Sequence, residues 1–196
     1  MSTAVKESLY ELQEHLEALL TADTVKPSEA RWREALSIVG THIATAFDIT
    51  DSEVAILIKT RDGQGLKFAY PPALGAGANI FPLKVYSFAG NVVRTAMGAF
   101  DNAFTEKRHL SFYEQVKVEG PKTGPIHKIM AAPLKTESNI FGVVEVSRKA
   151  ATRAEAGPDF TTSDLALLYD ILDRSSPYLE SLQPKISERK KSPARR

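Results

Sequence analysis

Two leucine patterns bracket the chain. Near its start, Leu9, Leu12, Leu16 and Leu19 recur at spacings of three and four, with Glu, Gln and His between them. This predicts a helix over residues 4–21 with a narrow apolar seam. Near the end, Thr161 opens a long helix in which Leu165, Leu168, Leu172, Leu179 and Leu182 fall near heptad spacing. The Thr161 hydroxyl can cap the first turn, and Asp164 is a shorter version of the capping-box acid. Pro177 interrupts this pattern. A proline inside a helix removes one hydrogen bond and crowds the carbonyl of Asp173, at about 3 kcal/mol. A kink or break is expected between Arg174 and Pro177.

The middle alternates between short strands and short helices. Residues 28–47 form a helix, entered through Pro27, with Trp32, Ala35, Leu36, Val39, Ile43, Ala46 and Phe47 on one face. Gly40 within it either costs about 1 kcal/mol relative to Ala or permits a close approach. Ser52 to Thr60 reads as a buried strand, Arg61 to Gly65 as a turn on Asp-Gly, and Leu66 to Tyr70 as the partner strand. Pro71 to Gly77 is a loop. Ile80 to Tyr86 holds a short edge strand, since Pro82 lacks a ladder donor. Phe88 to Met97 is a short helix, Phe100 to Phe104 is extended, Leu110 to Val116 is a further short helix, and Glu119 to Pro125 is a loop. Lys128 to Lys135 and Ile140 to Arg148 form a second hairpin. Gly142 lets two backbones approach, and Val143, Val144 and Val146 give a strand buried on both faces, with Glu145 its exception. One hairpin before the middle helices and one after them predict an α+β fold: an antiparallel sheet with helices gathered against it.

Composition narrows the chemistry. At 196 residues and 43% hydrophobic, the chain can bury the core of one domain with extensions. No apolar run approaches the roughly 18 to 20 residues of a membrane span, and no export signal is visible at the N-terminus. There is no cysteine. This excludes disulfides, thiolate metal sites and thiol catalysis, and it fits a cytoplasmic location. The net charge of +1 is uneven: residues 185–196 carry six Lys or Arg and one Glu. That basic end reads as a disordered, solubilising tail, and it also suits contact with nucleic acid or an anionic surface. His15, His42, His109 and His127 have no metal-ligand spacing. Gly75 to Asn79 begins like a dinucleotide loop but lacks the third glycine. No P-loop or nucleophile elbow is present. Asp48, Asp51 and Glu53 flank a helix end and a strand start and are expected to be solvated. A helix-turn-helix over residues 4–47 is disfavoured by its long link and acidic first helix.

Four segments carry a family resemblance. They are Phe88 to Thr95 followed by Phe100-Asp101, Ile129 to Leu134, Phe141 to Val146, and Phe160 to Leu168. In this order they resemble the middle helix, the "small residues, then Pro-Leu" strand, the Gly-Val strand and the last helix of a GAF domain. The resemblance covers roughly residues 30 to 182. It implies a GAF-like antiparallel sheet of about five or six strands flanked by helices, with the N- and C-terminal helices in a bundle. The domain would span residues 28–183, after an N-terminal helix and linker over 1–27 and before the tail over 184–196.

The resemblance also implies a small-ligand sensor for signal transduction. Its ligand would lie between the sheet and the middle helices, lined by Phe68, Tyr70, Tyr86, Phe88, Val92, Phe104, Phe112, Tyr113, Met130 and Glu145. The plainer alternative is that these aromatics fill the core. The cyclic-nucleotide signature of the family is incomplete here: Lys149, Phe160 and Asp164 match, whereas Arg148 and Leu165 replace its Asn and Glu. Lys149 and Asp164 could pair as a brace. Members that reduce methionine sulfoxide need cysteines, and phytochrome-like members attach bilin through one. Haem bound through His109 or His127 is the remaining cofactor option, and the ligand itself is not readable. The leucine seam should pair with the final helix, with its symmetry mate, or with both, which predicts a homodimer. Output would pass to a protein effector or through the tail. The expectation is a sensor without catalysis; the rivals are a ligand-free dimerisation module and an enzyme on the same fold.

Overall fold

A computed structural model describes residues 3–22, 29–75, 80–104 and 124–184. Helices α1 (Thr3–Thr21) and α2 (Glu29–Ala46) come first. A 3-10 turn at Asp51–Glu53 leads into β1 (Val54–Lys59), which pairs with β2 (Gly65–Tyr70). Then follow α3 (Pro72–Gly75), β3 (Ile80–Pro82), α4 (Phe88–Thr95) and β4 (Ala99–Asp101). The long hairpin of β5 (Ile126–Lys135) and β6 (Ile140–Lys149) precedes α5 (Thr162–Leu182). The six strands form one sheet in the order β3-β2-β1-β6-β5-β4, antiparallel throughout. The α+β sheet expected from the pattern is therefore present. The expected helix at 110–116 and the basic tail lie outside the described residues.

The sheet separates two apolar layers. On one face, α1, α2 and α5 form a helical bundle against Ile56, Met130, Val144 and Val146. On the other, α4 packs through Val92 and Val93 against Leu57, Leu66 and Val143. Successive strand residues point to opposite faces, which is how Val143 and Val144 serve different layers. Gly142 fits the close approach expected of it. A side chain there would place its Cβ 2.5 Å from the Leu57 carbonyl oxygen. Gly40 answers a different need: a Cβ on this α2 position would collide with the Tyr70 ring.

The leucine seam finds its cover inside the chain. Leu9, Leu12 and Leu16 are fully buried in the bundle layer with Leu168, Leu172, Leu179 and Leu182 of α5. Of the expected pairings, the one with the final helix is made, so the seam leaves no unburied apolar stripe that demands a second copy.

Three local expectations need correction. Residues 71–77 were expected as loop, but Pro72–Gly75 make a helical turn. The break near Pro177 is absent, and α5 runs through to Leu182. Asp173 and Pro177 both face solvent, where water can serve the carbonyl that lost its donor. Glu53 is not solvated. It is 2% exposed, and its carboxylate accepts from the Thr50 backbone N–H and hydroxyl and from the Lys149 backbone N–H. A capping box at Thr50 thereby joins the start of β1 to the end of β6. At Thr161 the expected capping box forms, with Asp164 Oδ2 2.7 Å from the Thr161 nitrogen.

Candidate functional site

The layer beneath α4 holds the one acidic group of the sheet interior that lacks a charged partner among the described residues. Ser87 caps α4 by accepting from the Gly90 N–H, which turns the first helical amides toward the sheet. Glu145 sits below on β6, buried to 2% exposure. Its carboxyl accepts a hydrogen bond from the Ala89 backbone N–H, while Oε2 has no partner. Burial without a cation penalises the charged form, and the carboxyl pKa is pushed up to about 8, with the Ala89 bond acting the other way. The group is thus mostly protonated at neutral pH.

Of the ten residues implied by the resemblance, the eight that are described do not converge. Glu145 and Val92 lie in the α4 layer with Phe68, whose ring meets Phe81 edge-on at 5.2 Å. Phe88 packs beside that layer and meets Phe104 edge-on at 6.1 Å. Tyr70 and Met130 are on the other face, in the bundle layer. Tyr86 is 63% exposed and lines no interior. Phe112 and Tyr113 lie outside the described residues.

The Tyr70 reversal has a definite cause. Phe68 and Tyr70 are two apart and should share a face. Yet Ile56 pairs with Tyr70 and Leu57 with Phe68, so Ala69 is an extra residue opposite a regular step. This bulge turns Tyr70 toward α2. There its hydroxyl is desolvated beside Asp51 and bonded to Thr41, and its pKa is raised. Met130 is displaced by simple parity: it pairs with Val146, whereas Ala131 pairs with Glu145.

The Lys149–Asp164 brace is not made. Lys149 Nζ donates to the Ser52 carbonyl at 2.7 Å, and Asp164 is occupied by its cap. The ion pair formed nearby joins Lys128 to Asp159 at 2.7 Å. Sequence reasoning also missed Asn102. Its side-chain amide donates to the Phe160 carbonyl and accepts from the Phe160 N–H, at 2.9 and 2.8 Å. No sequence pattern signals such a long-range pairing; only the position of Asn102 just after a short strand hints at an end-stop. Among the described residues no cluster of His, Cys, Asp and Glu could hold a metal ion. No helix among them is long and apolar enough to cross a membrane.

A shallow groove of about 560 Å³ lies elsewhere, between the hairpin turns and the end of α5, lined by Lys59, Arg61, Asp62, Asn139 and Glu180 among others. It is open and mixed in charge. The buried, half-partnered carboxyl of Glu145 is the more specific feature, because an interior polar atom without a partner requires a reason.

No protein-family profile matches the chain, and no curated protein does. Solved structures do. The GAF domain of an Acinetobacter phosphoenolpyruvate-protein phosphotransferase aligns at a TM-score of 0.62 and 13% identity, over 92% of this chain and 95% of that one. The corresponding domain from Coxiella burnetii gives 0.61 at 9% identity, over 91% and 95%. A free methionine-R-sulfoxide reductase from Neisseria meningitidis, solved with its substrate, gives 0.59 at 13% identity, over 93% of each chain. At such identities the likeness concerns the fold. The chain has a GAF-like fold, as the four segments implied.

Proposed function

We propose that this chain is a small-ligand sensor of the GAF type that signals through its terminal helices and has no catalysis of its own. The observation that carries the reading is Glu145, a buried acid in the α4 layer with one oxygen unpartnered. A polar group left this way inside a fold calls for a reason, and a bound ligand supplies one. Coupling to the helices is short. Val144 and Val146, on either side of Glu145, belong to the bundle layer with α1 and α5. A ligand that moves β6 therefore moves the floor on which the terminal helices rest.

The fold also serves chemistry, as the Neisseria reductase shows by its name. This chain has no cysteine for thiol chemistry, which supports a sensor over a thiol enzyme. A cytoplasmic site of action belongs to the same reading. Self-association remains part of it, but on different grounds. With the leucine seam covered, a dimer would use the outer face of α1, where Tyr10 and Leu20 are 61% and 40% exposed. The partner receiving the signal is a second copy or a protein effector.

Native mass spectrometry of the purified chain tests the sensor reading. A retained small molecule, lost on denaturation, is the expected result. A bare chain that also fails to respond to a broad metabolite panel would favour the ligand-free module instead.

A further inference from the structure

Glu145 belongs to a row. Ala55 of β1 pairs with Glu145, Glu145 pairs with Ala131 of β5, and Ala131 pairs with Ala99 of β4. Residues in register share one face. Two methyl groups, those of Ala55 and Ala131, therefore flank the carboxyl, Ala99 continues the row one strand further on, and Ala89 of α4 lies in the same layer. Elsewhere the layer is filled by Leu, Val and Phe. Among the described residues, the small side chains of this layer are thus gathered around its one buried acid.

Among the described residues, the cations of the elements around the row are engaged elsewhere. Arg94 of α4 is exposed and donates to the Leu83 carbonyl. Lys149, further along β6, reaches the Ser52 carbonyl. Lys128 of β5 is paired with Asp159. The acids are occupied too: Glu53 with its cap and Lys149, and Asp101 with the Ala103 N–H.

We infer that this row is the recognition floor for a small organic cation, an amidinium or primary ammonium whose N–H groups are read by Glu145. The inference rests on the sensor reading and adds the chemical class of the ligand. Once it has lost its proton, the carboxyl, held by one helix amide and flanked by methyl groups, offers an acceptor and a negative charge. An amidinium supplies the missing donor and the missing charge together. A neutral amide supplies the donor alone. To that ionised form a carboxylate or phosphate brings acceptors to an acceptor and is repelled. In the free protein burial keeps the Glu145 proton in place at neutral pH. The cation replaces that proton, which passes to solvent, so binding tightens as pH rises toward 8.

The test uses the full chain and three ligands of one shape: benzamidinium, benzamide and benzoate. Binding is followed by NMR shifts and thermal shift at pH 6 and pH 8, with acetamidinium as a smaller probe. Benzamidinium should bind roughly tenfold tighter than the other two at pH 8, and roughly fiftyfold tighter at pH 8 than at pH 6. Glu145→Gln should abolish both differences. Should that variant fold poorly, the pH dependence of the unaltered chain decides alone. Equal binding of benzamide or benzoate overturns the inference while leaving a sensor. Unchanged amidinium binding by Glu145→Gln also overturns it, as does silence toward both amidiniums at millimolar concentration.

Discussion

The two faces of the sheet are built to different standards. Toward α1, α2 and α5, β5 and β6 present Met130, Leu134, Val144 and Val146, each fully buried against leucines. Toward α4, the same two strands present Ala131, Val143 and Glu145. Val144, Glu145 and Val146 are consecutive, so strand alternation alone sends Glu145 to one face and its two neighbours to the other. The difference is what each face is for. One face maximises apolar contact and holds the chain together. The other tolerates a buried acid that costs stability whenever it ionises, which natural folds accept where a site requires it. Function is best sought on the face that holds the half-partnered acid.

The sharpest way to break this comparison is to charge the well-packed face. Leu12→Asp combined with Leu16→Asp places two carboxylates where leucines are buried to 2% and 0% exposure. The loss should exceed about 5 kcal/mol, measured by urea unfolding. Because α5 of the same chain covers the seam, the loss should not depend on protein concentration. A concentration-dependent midpoint would show instead that the seam holds two copies together. A smaller effect separates the faces functionally. Met130→Ala should cost about 3 kcal/mol through the cavity it leaves in the bundle layer. Ligand response should survive, since Met130 points away from Glu145. Loss of binding with intact stability would contradict the face assignment.

Glu145→Gln probes the other face with the opposite sign. The Glu145 pKa is about 8 in the fold against its ordinary value of 4.5, which the unfolded chain restores. Between these values the folded chain holds the proton more firmly, so protonation stabilises it. That stabilisation is complete below the unfolded pKa and drains away as pH rises toward 8. Between pH 5 and pH 8 the unaltered chain should lose about 3 kcal/mol from this group. Glu145→Gln should remove that slope and be the more stable form at pH 8. Parallel pH profiles for the two proteins would mean that Glu145 is already paired with a cation.

Legibility followed periodicity. The leucine seam, the Thr161 cap and both hairpins were readable because each repeats a local rule over several residues. Gly142 was readable because only a glycine tolerates the Leu57 carbonyl at that distance. The site was read less well. Tyr70 was misplaced by a bulge at Ala69, which shifts parity without any mark in composition. Met130 and Ala131 are adjacent, and choosing which faces α4 requires the register of β5 against β6. Lys149 and Asp164 had the right charges for a brace, but each found a nearer backbone partner. Glu145 was named for its place in a family pattern, yet its significance comes from Ala55, Ala131 and Ala99, which pairing across strands alone assembles.

Asn102 is where the two faces meet, and it gives the smallest of the expected effects. It follows β4, the edge strand whose Ala99 continues the row of Glu145. Its amide grips the backbone of Phe160, one residue before the cap of α5. Phe160 itself is buried in the bundle layer and receives the Arg148 guanidinium over its ring at 5.0 Å. Asn102→Ala would leave both backbone groups of Phe160 without these partners, at about 1.5 kcal/mol. Asn102→Asp keeps the acceptor for the Phe160 N–H but loses the donor, so it should fall between the two. If Asn102 only staples the edge of the sheet, both variants lower stability and leave ligand response alone. If it carries movement of β4 to the start of α5, Asn102→Ala should also uncouple ligand binding from protection of α5 amides in hydrogen exchange. The coupling idea fails if that protection still follows ligand in the alanine variant.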